Sequence, residues 1–237
     1  EYSFSAFWKL AIRVIYPMAE KIIAVSEEVR QGLMDDFGIK PEKVEVVNNG
    51  IDVRLVRRKA EEYIPDVRRY ILSCGRLEYQ KGFETLIEAM RELPDRMVVI
   101  LGEGRMRENL KSLAEQKRVN LLLPGHIENP YPYFKHADVF VLPSRYEGFS
   151  NVLLEAMACD TPVVSAASPG GIRDIIEDSV NGILCPAGDS EALGKAVKRL
   201  LENPEEGRRM AERGRERVLS FNIDDVVCRY GMILREV

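Results

Sequence analysis

The sequence predicts an α/β domain built on a parallel sheet, and two observations lead to this prediction. From Arg69 onward, short apolar segments alternate with longer segments of helical periodicity. Several apolar segments are hydrophobic at every position, as at residues 98–101 and 139–142, which is typical of strands covered on both faces. We therefore expect a Rossmann-like parallel sheet with helices on both faces.

Each element of this domain follows from the same patterns. Strands are expected at residues 70–74, 97–101, 120–123, 139–142, 162–165 and 182–184. Helices are expected at residues 83–92, 105–116, 131–135, 151–159, 172–177 and 190–202, and residues 203–237 are expected to be helical and charged. In such sheets, ligands bind beyond the carboxyl ends of the strands. The loops that follow the strands are therefore where we expect site residues.

The stretch before Arg69 predicts smaller elements. Apolar residues recur at helical spacing from Phe4 to Ile15, and we expect this helix to pack on a sheet, with a membrane-surface role as the alternative. Ser26 is expected to cap the next helix and Gly38 to end it. The other elements expected here are strands at residues 21–25 and 44–47, a helix at 27–37, a turn at 48–52 and an irregular charged stretch at 54–67.

Composition and charge exclude several classes of protein. The formal net charge is −4 and no basic run is long enough to follow a phosphate backbone, so we expect no nucleic-acid partner. The four cysteines are far apart in sequence, which argues against a zinc site or a disulfide framework and favours buried thiols in a reducing cytoplasm. No apolar run approaches the roughly 20 residues needed to cross a bilayer. The chain opens at Glu1 rather than Met, so we expect its beginning to have been removed.

The segment at residues 142–158 carries the strongest functional signal. It predicts a buried strand, a loop with Glu147 and Gly148, and a helix that starts near Ser150 or Asn151. The amino end of a helix has free amides and a positive dipole that suit a phosphate, and Gly148 allows a ligand to approach the backbone. Carboxylates accept hydrogen bonds from hydroxyls, so Glu147 and Glu155 at this end favour a nucleotide sugar. The alternative is that Glu147 solvates a loop and Glu155 an exposed helix face.

Three other loops carry suggestive residues. Arg76 and Lys81 follow the first strand of the domain, and an Arg fork with a Lys point charge suits a diphosphate; two solvated surface cations are the alternative. Gly102 and Gly104 follow the second strand, a spacing more typical of a tight turn than of a phosphate cradle. His126 follows the third strand, where an ordinary turn histidine is equally compatible with the sequence.

The residues from Glu147 to Glu155 resemble the E-x7-E signature of the retaining glycosyltransferases of family 4, which have the two-domain GT-B fold. The resemblance extends over residues 19–230. The chain departs from the family where Arg173 and Asp174 stand in place of a common Pro-Glu pair. The resemblance implies the end of an N-terminal acceptor-side domain at residues 1–53, a linker at 54–68, a nucleotide-sugar-binding domain at 69–222 and a helix at 223–237 that returns towards the N-terminal domain.

The resemblance also implies a donor site. Arg76 and Lys81 would bind the diphosphate, Glu147 would contact the sugar hydroxyls, and Glu155 would contact the ribose hydroxyls. Catalysis would rest on Arg76, Lys81 and Glu147. Because no Asp-x-Asp pair follows a strand, we expect no metal and no cofactor. The full set of donor-binding residues expected is Gly75, Arg76, Lys81, Gly102, Gly125, His126, Ile127, Glu147, Gly148, Phe149, Ser150, Asn151 and Glu155.

The function expected is therefore hexosyltransferase-type. A sugar would pass with retention from a UDP- or GDP-sugar to a glycan, lipid or small-molecule acceptor. The acceptor would bind mostly to a missing N-terminal region, so we expect this chain to turn over poorly by itself. The location expected is cytoplasmic, with peripheral contact at the inner membrane face as a further option. The alternatives are an epimerase or phosphorylase of the same fold, or a nucleotide-sugar-binding module without catalysis.

Overall fold

A computed structural model of the protein describes residues 6–235. The strands are β1 (Ile22–Ala24), β2 (Val44–Val46), β3 (Tyr70–Cys74), β4 (Met97–Leu101), β5 (Asn120–Gly125), β6 (Val139–Leu142), β7 (Val163–Ala166) and β8 (Ile183–Cys185). The helices are α1 (Ala6–Ile15), α2 (Glu27–Phe37), α3 (Val53–Ala60), α4 (Phe83–Ala89), α5 (Arg107–Lys117), α6 (Tyr131–His136), α7 (Asn151–Ala158), α8 (Ile172–Ile175), α9 (Ser190–Glu202), α10 (Pro204–Val218) and α11 (Ile223–Ile233).

Six of these strands form one parallel sheet in the order β5-β4-β3-β6-β7-β8. Successive side chains of a strand point to opposite faces, and each face of this sheet has its own apolar core. Tyr70 and Leu72 of β3 belong to one buried cluster, whereas Ile71 and Val98 belong to the other. Helices therefore cover both faces, and the predicted fold class is confirmed.

The strand order places the loops after β3 and β6 side by side. The chain runs outward from β3 through β4 to β5, then returns and runs outward the other way from β6 through β7 to β8. β3 pairs directly with β6, with Ile71 opposite Val139. Such a reversal opens a crevice at the carboxyl ends of the two central strands, where ligands bind in open α/β sheets.

The segment from β1 to β2 forms a smaller unit with its own apolar cluster. β1 and β2 pair in parallel, and α2 follows β1. Ser26 caps α2 by accepting a hydrogen bond from the Val29 amide, and Gly38 ends it at φ 69°, as predicted. Several hydrogen bonds join the stretch before β3 to the larger unit. Among them, one carboxylate oxygen of Asp174 accepts from the Glu27 amide and from the Asn48 side chain, each at 3.2 Å.

Helix α1 does not pack on a sheet, so that prediction was wrong. Phe7, Trp8 and Ile15 are 71%, 58% and 60% exposed. The physical reason is that the sheet in this unit has only two strands, β1 and β2, and offers α1 little surface. Phe4, which belongs to the same predicted helix, lies outside the described residues.

The prediction of irregular structure at residues 54–67 was also wrong for the first half of that segment, which is helical. Asp52 accepts a hydrogen bond from the Leu55 amide and starts α3. Val56 and Ala60 are four residues apart and form a short apolar face that is buried in the core. The many charged residues around them made this pattern difficult to recognise in the sequence. Elsewhere the predicted bounds differ by only a few residues, as where the helix expected at 83–92 becomes α4 followed by a 3₁₀ turn at Met90–Glu92.

The last helix returns to the segment that precedes α3. Ile51 donates a backbone hydrogen bond to Phe221 at 2.8 Å, and Ile223 donates one to Ile51 at 3.2 Å. Arg54 and Asp224 form an exposed ion pair at 3.6 Å. α11 therefore begins against the segment at residues 50–54.

The cysteines and the helices bear on two further expectations. All four cysteines are free, but Cys228 is exposed, which contradicts the expectation of buried thiols there. Between residues 6 and 235, no helix has the length and apolar character needed to cross a membrane.

Candidate functional site

The loops after β3 and β6 are joined by backbone and side-chain hydrogen bonds. Arg145 donates its amide to the Gln80 carbonyl at 2.8 Å, and the Gln80 side chain donates to the Tyr146 carbonyl at 3.0 Å. Gly82 has φ 62°, and a Cβ at that position would lie 2.3 Å from the Pro143 carbonyl oxygen. Only glycine therefore allows the two loops to approach this closely.

Lys81 and Glu147 form a buried ion pair where these loops meet. The Lys81 ammonium lies 2.6 Å from Oε1 of Glu147, and the two side chains are 16% and 8% exposed. Ser144 donates its hydroxyl to the same oxygen at 2.7 Å. The alternatives that Lys81 is a solvated surface cation and that Glu147 solvates a loop are therefore wrong. A buried charge pair of this kind requires good geometry and supporting hydrogen bonds, which Ser144 supplies.

The loop after β7 holds the segment that follows Glu147. The Glu147 amide donates to the Pro169 carbonyl, and the Gly171 amide donates to the Gly148 carbonyl, both at 3.0 Å. Gly170 has φ 112°, and a Cβ there would collide with the Glu147 carbonyl oxygen. Phe149 packs its ring against Phe221 with centroids 5.7 Å apart. The loop after β7 and the ring of Phe221 therefore hold the segment from Glu147 to Phe149 in place.

Helix α7 begins directly after this segment. Ser150 precedes its first residue, but the buried Ser150 hydroxyl has no hydrogen-bond partner among the described residues. The Asn151 side chain accepts a hydrogen bond from Asn49 at 3.0 Å. The first amides of α7 lack helical partners, as in any helix, and they lie next to the loop that carries Glu147.

Glu155 lies one turn further along α7 and is half-buried, so the alternative of an exposed helix face is wrong. Burial raises the pKa of its carboxyl from 4.5 to about 7. Burial also raises the pKa of the Cys74 thiol to about 12, with Glu155 adding to the rise and Lys81 opposing it. Glu155 and Lys81 therefore both lie near the Cys74 thiol at the end of β3.

A cleft of about 430 Å³ opens beyond the carboxyl ends of β3, β4 and β5. Gly102 has φ 132°, and a Cβ there would lie 2.1 Å from the Gly75 carbonyl oxygen, so glycine is required at the floor. Arg76 is exposed at the edge of the cleft, and its guanidinium has no hydrogen-bond or ion-pair partner within residues 6–235. The cleft is lined by Cys74, Gly75, Arg76, Leu101, Gly102, Glu103, His126, Ile127 and Pro130.

The structure thus places the predicted residues in two adjoining groups. One group lines the cleft, and the other surrounds the Lys81–Glu147 pair at the start of α7. Gly125 is buried behind the cleft, beside a carboxylate oxygen of Glu103. Sequence reasoning missed Ser144, although a serine three residues before Glu147 and directly after a buried strand was a usable signal. Within the described part of the chain, no three His, Cys, Asp or Glu side chains cluster closely enough to hold a metal ion.

The chain matches two described families of proteins. Residues 57–217 match the family described as glycosyl transferases group 1. Residues 2–55 match the family described as glycosyltransferase family 4. The first match covers the whole six-stranded sheet and both loops that carry the Lys81–Glu147 pair.

Curated relatives carry related names. Over 217 residues the chain is 33% identical to the N-acetylgalactosamine-N,N'-diacetylbacillosaminyl-diphospho-undecaprenol 4-alpha-N-acetylgalactosaminyltransferase of Campylobacter jejuni, a match that spans 90% of this chain and 60% of that protein. Over 208 residues it is 34% identical to the lipopolysaccharide core biosynthesis glycosyltransferase LpsE of Rhizobium meliloti, spanning 85% of this chain and 60% of LpsE. The chain thus spans about 60% of the length of these relatives.

Solved structures share the fold. Sucrose-phosphate synthase from Thermosynechococcus elongatus superposes with a TM-score of 0.88 at 26% identity, covering 100% of this chain and 64% of that one. Anabaena Alr3699/HepE in complex with UDP-glucose superposes with a TM-score of 0.87 at 21% identity, covering 99% of this chain and 69% of that one.

Proposed function

The chain belongs to the glycosyl transferases group 1 family, and from that premise we propose that it is the donor-binding part of a retaining glycosyltransferase. Its donor would be a UDP- or GDP-sugar, and its acceptor a glycan, a lipid or a small molecule. The observation that carries this proposal is the buried Lys81–Glu147 pair at the meeting point of two loops, beside a glycine-floored cleft.

The positive charge at the cleft suits a diphosphate. Arg76 lines the cleft, and no described side chain forms a hydrogen bond or ion pair with its guanidinium. The N–H donors of a guanidinium match the geometry of phosphate oxygens. Lys81 has three donors, of which Glu147 takes one, so its ammonium can also bind a phosphate oxygen. The free amides at the start of α7 add two further donors at Ser150 and Asn151.

Glu147 is arranged to bind a sugar hydroxyl. Its Oε1 accepts hydrogen bonds from Ser144 and Lys81, whereas no described residue bonds its Oε2. A carboxylate oxygen without a partner can accept a hydrogen bond from a hydroxyl. Because the acceptor is charged, this hydrogen bond is stronger than one between two neutral groups. The amides of Gly148 and Phe149 follow directly and would contact the same sugar.

The nucleoside would occupy the cleft. Glu155 would accept hydrogen bonds from the ribose hydroxyls, and its raised pKa means that a hydroxyl partner also relieves the desolvated carboxylate. His126 and Ile127 line the cleft after β5, together with Gly102 after β4. Gly75 and Gly102 line the cleft, and Gly125 lies next to Glu103. Because glycines have no side chains, the base could approach the backbone closely there.

Catalysis would consist mainly of stabilising the leaving group. The bond between the anomeric carbon and the diphosphate oxygen would break, and its electron pair would stay on the diphosphate. The acceptor hydroxyl oxygen would bond to the anomeric carbon on the same face of the sugar, and the hydroxyl proton would pass to the departing diphosphate. Arg76, Lys81 and the α7 amides would stabilise the charge that develops on the diphosphate, so no metal ion is required by this proposal. Glu147 would hold the sugar while the anomeric carbon becomes positive.

The names of similar proteins support the nature of donor and acceptor. The Anabaena structure was solved with UDP-glucose, which is a nucleoside-diphosphate sugar. The Campylobacter relative is named for transfer to a diphospho-undecaprenol-linked sugar, which supports an acceptor carried on a lipid. Such an acceptor would bring the protein to the cytoplasmic face of a membrane.

Calorimetric titration with UDP and GDP tests the donor site. We expect one nucleotide to bind the wild-type chain, and Glu155→Ala to weaken it about 10-fold or more, because each lost hydrogen bond to a charged group is worth roughly 1.5–3 kcal/mol. Glu177→Ala, an exposed carboxylate after α8, is the matched control and should leave affinity unchanged. If the wild type binds neither nucleotide, or Glu155→Ala binds as tightly, the proposal is wrong.

Product analysis with a version that includes the additional length found in the relatives tests the reaction. Transfer requires an acceptor and gives a glycoside with the donor's anomeric configuration. An epimerised donor, a requirement for inorganic phosphate, or binding without any product would instead indicate one of the alternative functions.

A further inference from the structure

Ser144 is a fully buried hydroxyl that makes its hydrogen bond to a charged side chain of the site. It follows β6 by two residues and donates to Oε1 of Glu147 at 2.7 Å. An ionised carboxylate only accepts hydrogen bonds, so the hydroxyl must be the donor. Lys81 donates to the same oxygen at 2.6 Å. One oxygen of Glu147 is therefore held by two donors.

The two donors come from different parts of the chain. Ser144 lies three residues before Glu147 in the same loop, whereas Lys81 comes from the loop after β3, 66 residues away in sequence. A diphosphate would compete with Glu147 for the Lys81 ammonium, since both are anions and the ammonium is a point charge. Ser144 has no such competitor, because its hydroxyl is buried and bonded within its own loop.

We propose that Ser144 is a positioning residue that fixes the carboxylate of Glu147 towards the sugar of a nucleoside-diphosphate sugar while Lys81 shares its charge with the diphosphate. The proposal rests on the donor site described above. With Oε1 held by Ser144, the rotation of the carboxyl group is limited and Oε2 stays available for a sugar hydroxyl. Ser144 itself does not contact the substrate.

Calorimetry with UDP and UDP-glucose, or with GDP and GDP-mannose, gives the dissociation constants of a nucleotide and of its sugar form. We call the ratio of the first constant to the second the sugar increment. This ratio measures the role of Ser144 separately from folding and from nucleotide binding. Ser144→Ala removes the hydroxyl, and Ser144→Cys keeps most of its volume but provides only a weak donor. We expect both variants to bind the nucleotide within about twofold of wild type and to lose about 5- to 10-fold of the sugar increment.

Two further variants separate positioning from simple packing. Ser73→Ala removes another fully buried hydroxyl, which bonds the Val141 carbonyl at 2.7 Å, and should leave the sugar increment unchanged. Ser144→Thr retains the hydroxyl, so a folded threonine variant should have the sugar increment of wild type. If thermal melting shows that the threonine variant is unfolded, the comparison of Ser144→Cys with Ser73→Ala decides.

The outcomes distinguish this proposal from the donor site on which it rests. A wild-type sugar increment that Ser144→Ala and Ser144→Cys both retain overturns the role of Ser144 and leaves the donor site standing. Equal loss of the increment in Ser73→Ala also overturns it, because the effect would then be one of general packing. Failure of the wild type to bind any of the four ligands overturns the donor site, and the role of Ser144 with it.

Discussion

The guanidinium of Arg145 lies over the ring of Tyr79, with its carbon 4.1 Å from the ring centroid. The same side chain donates a hydrogen bond from Nε to the Tyr79 carbonyl at 3.1 Å. Tyr79 begins the 3₁₀ turn that ends at Lys81, and Arg145 lies two residues before Glu147. The stack therefore joins the two loops that supply the buried ion pair.

Replacing Arg145 with methionine should loosen this junction. The cation–π contact is worth about 0.5–1 kcal/mol at a partly exposed site. Loss of that contact, of the Nε hydrogen bond and of the ion pair with Glu84 at 3.6 Å should lower the melting temperature by about 2–4 °C in a chain of this size. Tyr79→Phe keeps the ring and the backbone carbonyl, so its melting temperature in the same calorimetric scan should match wild type. An unchanged melting temperature in Arg145→Met would show that the stack contributes nothing.

Breaking the Lys81–Glu147 pair on one side should be more destabilising than removing both charges. Lys81→Met leaves a buried carboxylate without its cation, which typically costs about 3–5 kcal/mol. The double variant Lys81→Met with Glu147→Gln should recover part of that loss, measured by urea unfolding. Lys111→Met breaks a solvent-exposed pair with Glu108 and should leave stability unchanged, because water and salt screen such pairs. A double variant less stable than Lys81→Met would contradict the expected coupling.

Glu155 should make stability depend on pH. Its folded pKa of about 7 exceeds the ordinary 4.5, so the folded chain binds more protons than the unfolded chain between these values. Stability should therefore fall as pH rises from about 4.5 to about 7 and then level off.

Glu155→Gln removes this titration. The variant should be more stable than wild type at pH 8, by about 1–3 kcal/mol, and the difference should vanish at pH 5. Urea unfolding at the two pH values measures it. A constant difference between variant and wild type across this range would show that Glu155 does not titrate in the folded state near neutral pH.

Gly170 should tolerate no side chain. Its φ of 112° is unfavourable for other residues, and a Cβ there would overlap the Glu147 carbonyl oxygen. Gly170→Ala should therefore displace the loop that carries Glu147 and weaken nucleotide-sugar binding as well as stability.

Gly188→Ala is the matched comparison for Gly170→Ala. Gly188 also has positive φ, 80°, but a Cβ at this position meets no atom within 4 Å. This variant should lose only the backbone preference of glycine, about 1–2 kcal/mol, and bind donor normally. Equal behaviour of the two variants in thermal melting and calorimetry would contradict the close approach at Gly170.

Much of the fold could be predicted because periodicity is a local property of sequence. The strands at Tyr70–Cys74, Met97–Leu101 and Val139–Leu142 have the predicted bounds, since each is apolar and bounded by turn residues. Predictions failed where tertiary contacts decided the outcome. α3 is a helix because two apolar residues among its charges reach the core. α1 is exposed because the β1-β2 sheet, which belongs to the same part of the chain, has only two strands.

By itself, the sequence determined the alternation of strands and helices and the loops that carry charge. It also determined that Glu147 lies before α7 and that Glu155 lies on it. Only the tertiary structure decided that Ser144 and Lys81 converge on one oxygen of Glu147. The reason is that strand order, not sequence distance, places β3 beside β6. A contact across 66 residues exists only once the sheet has formed.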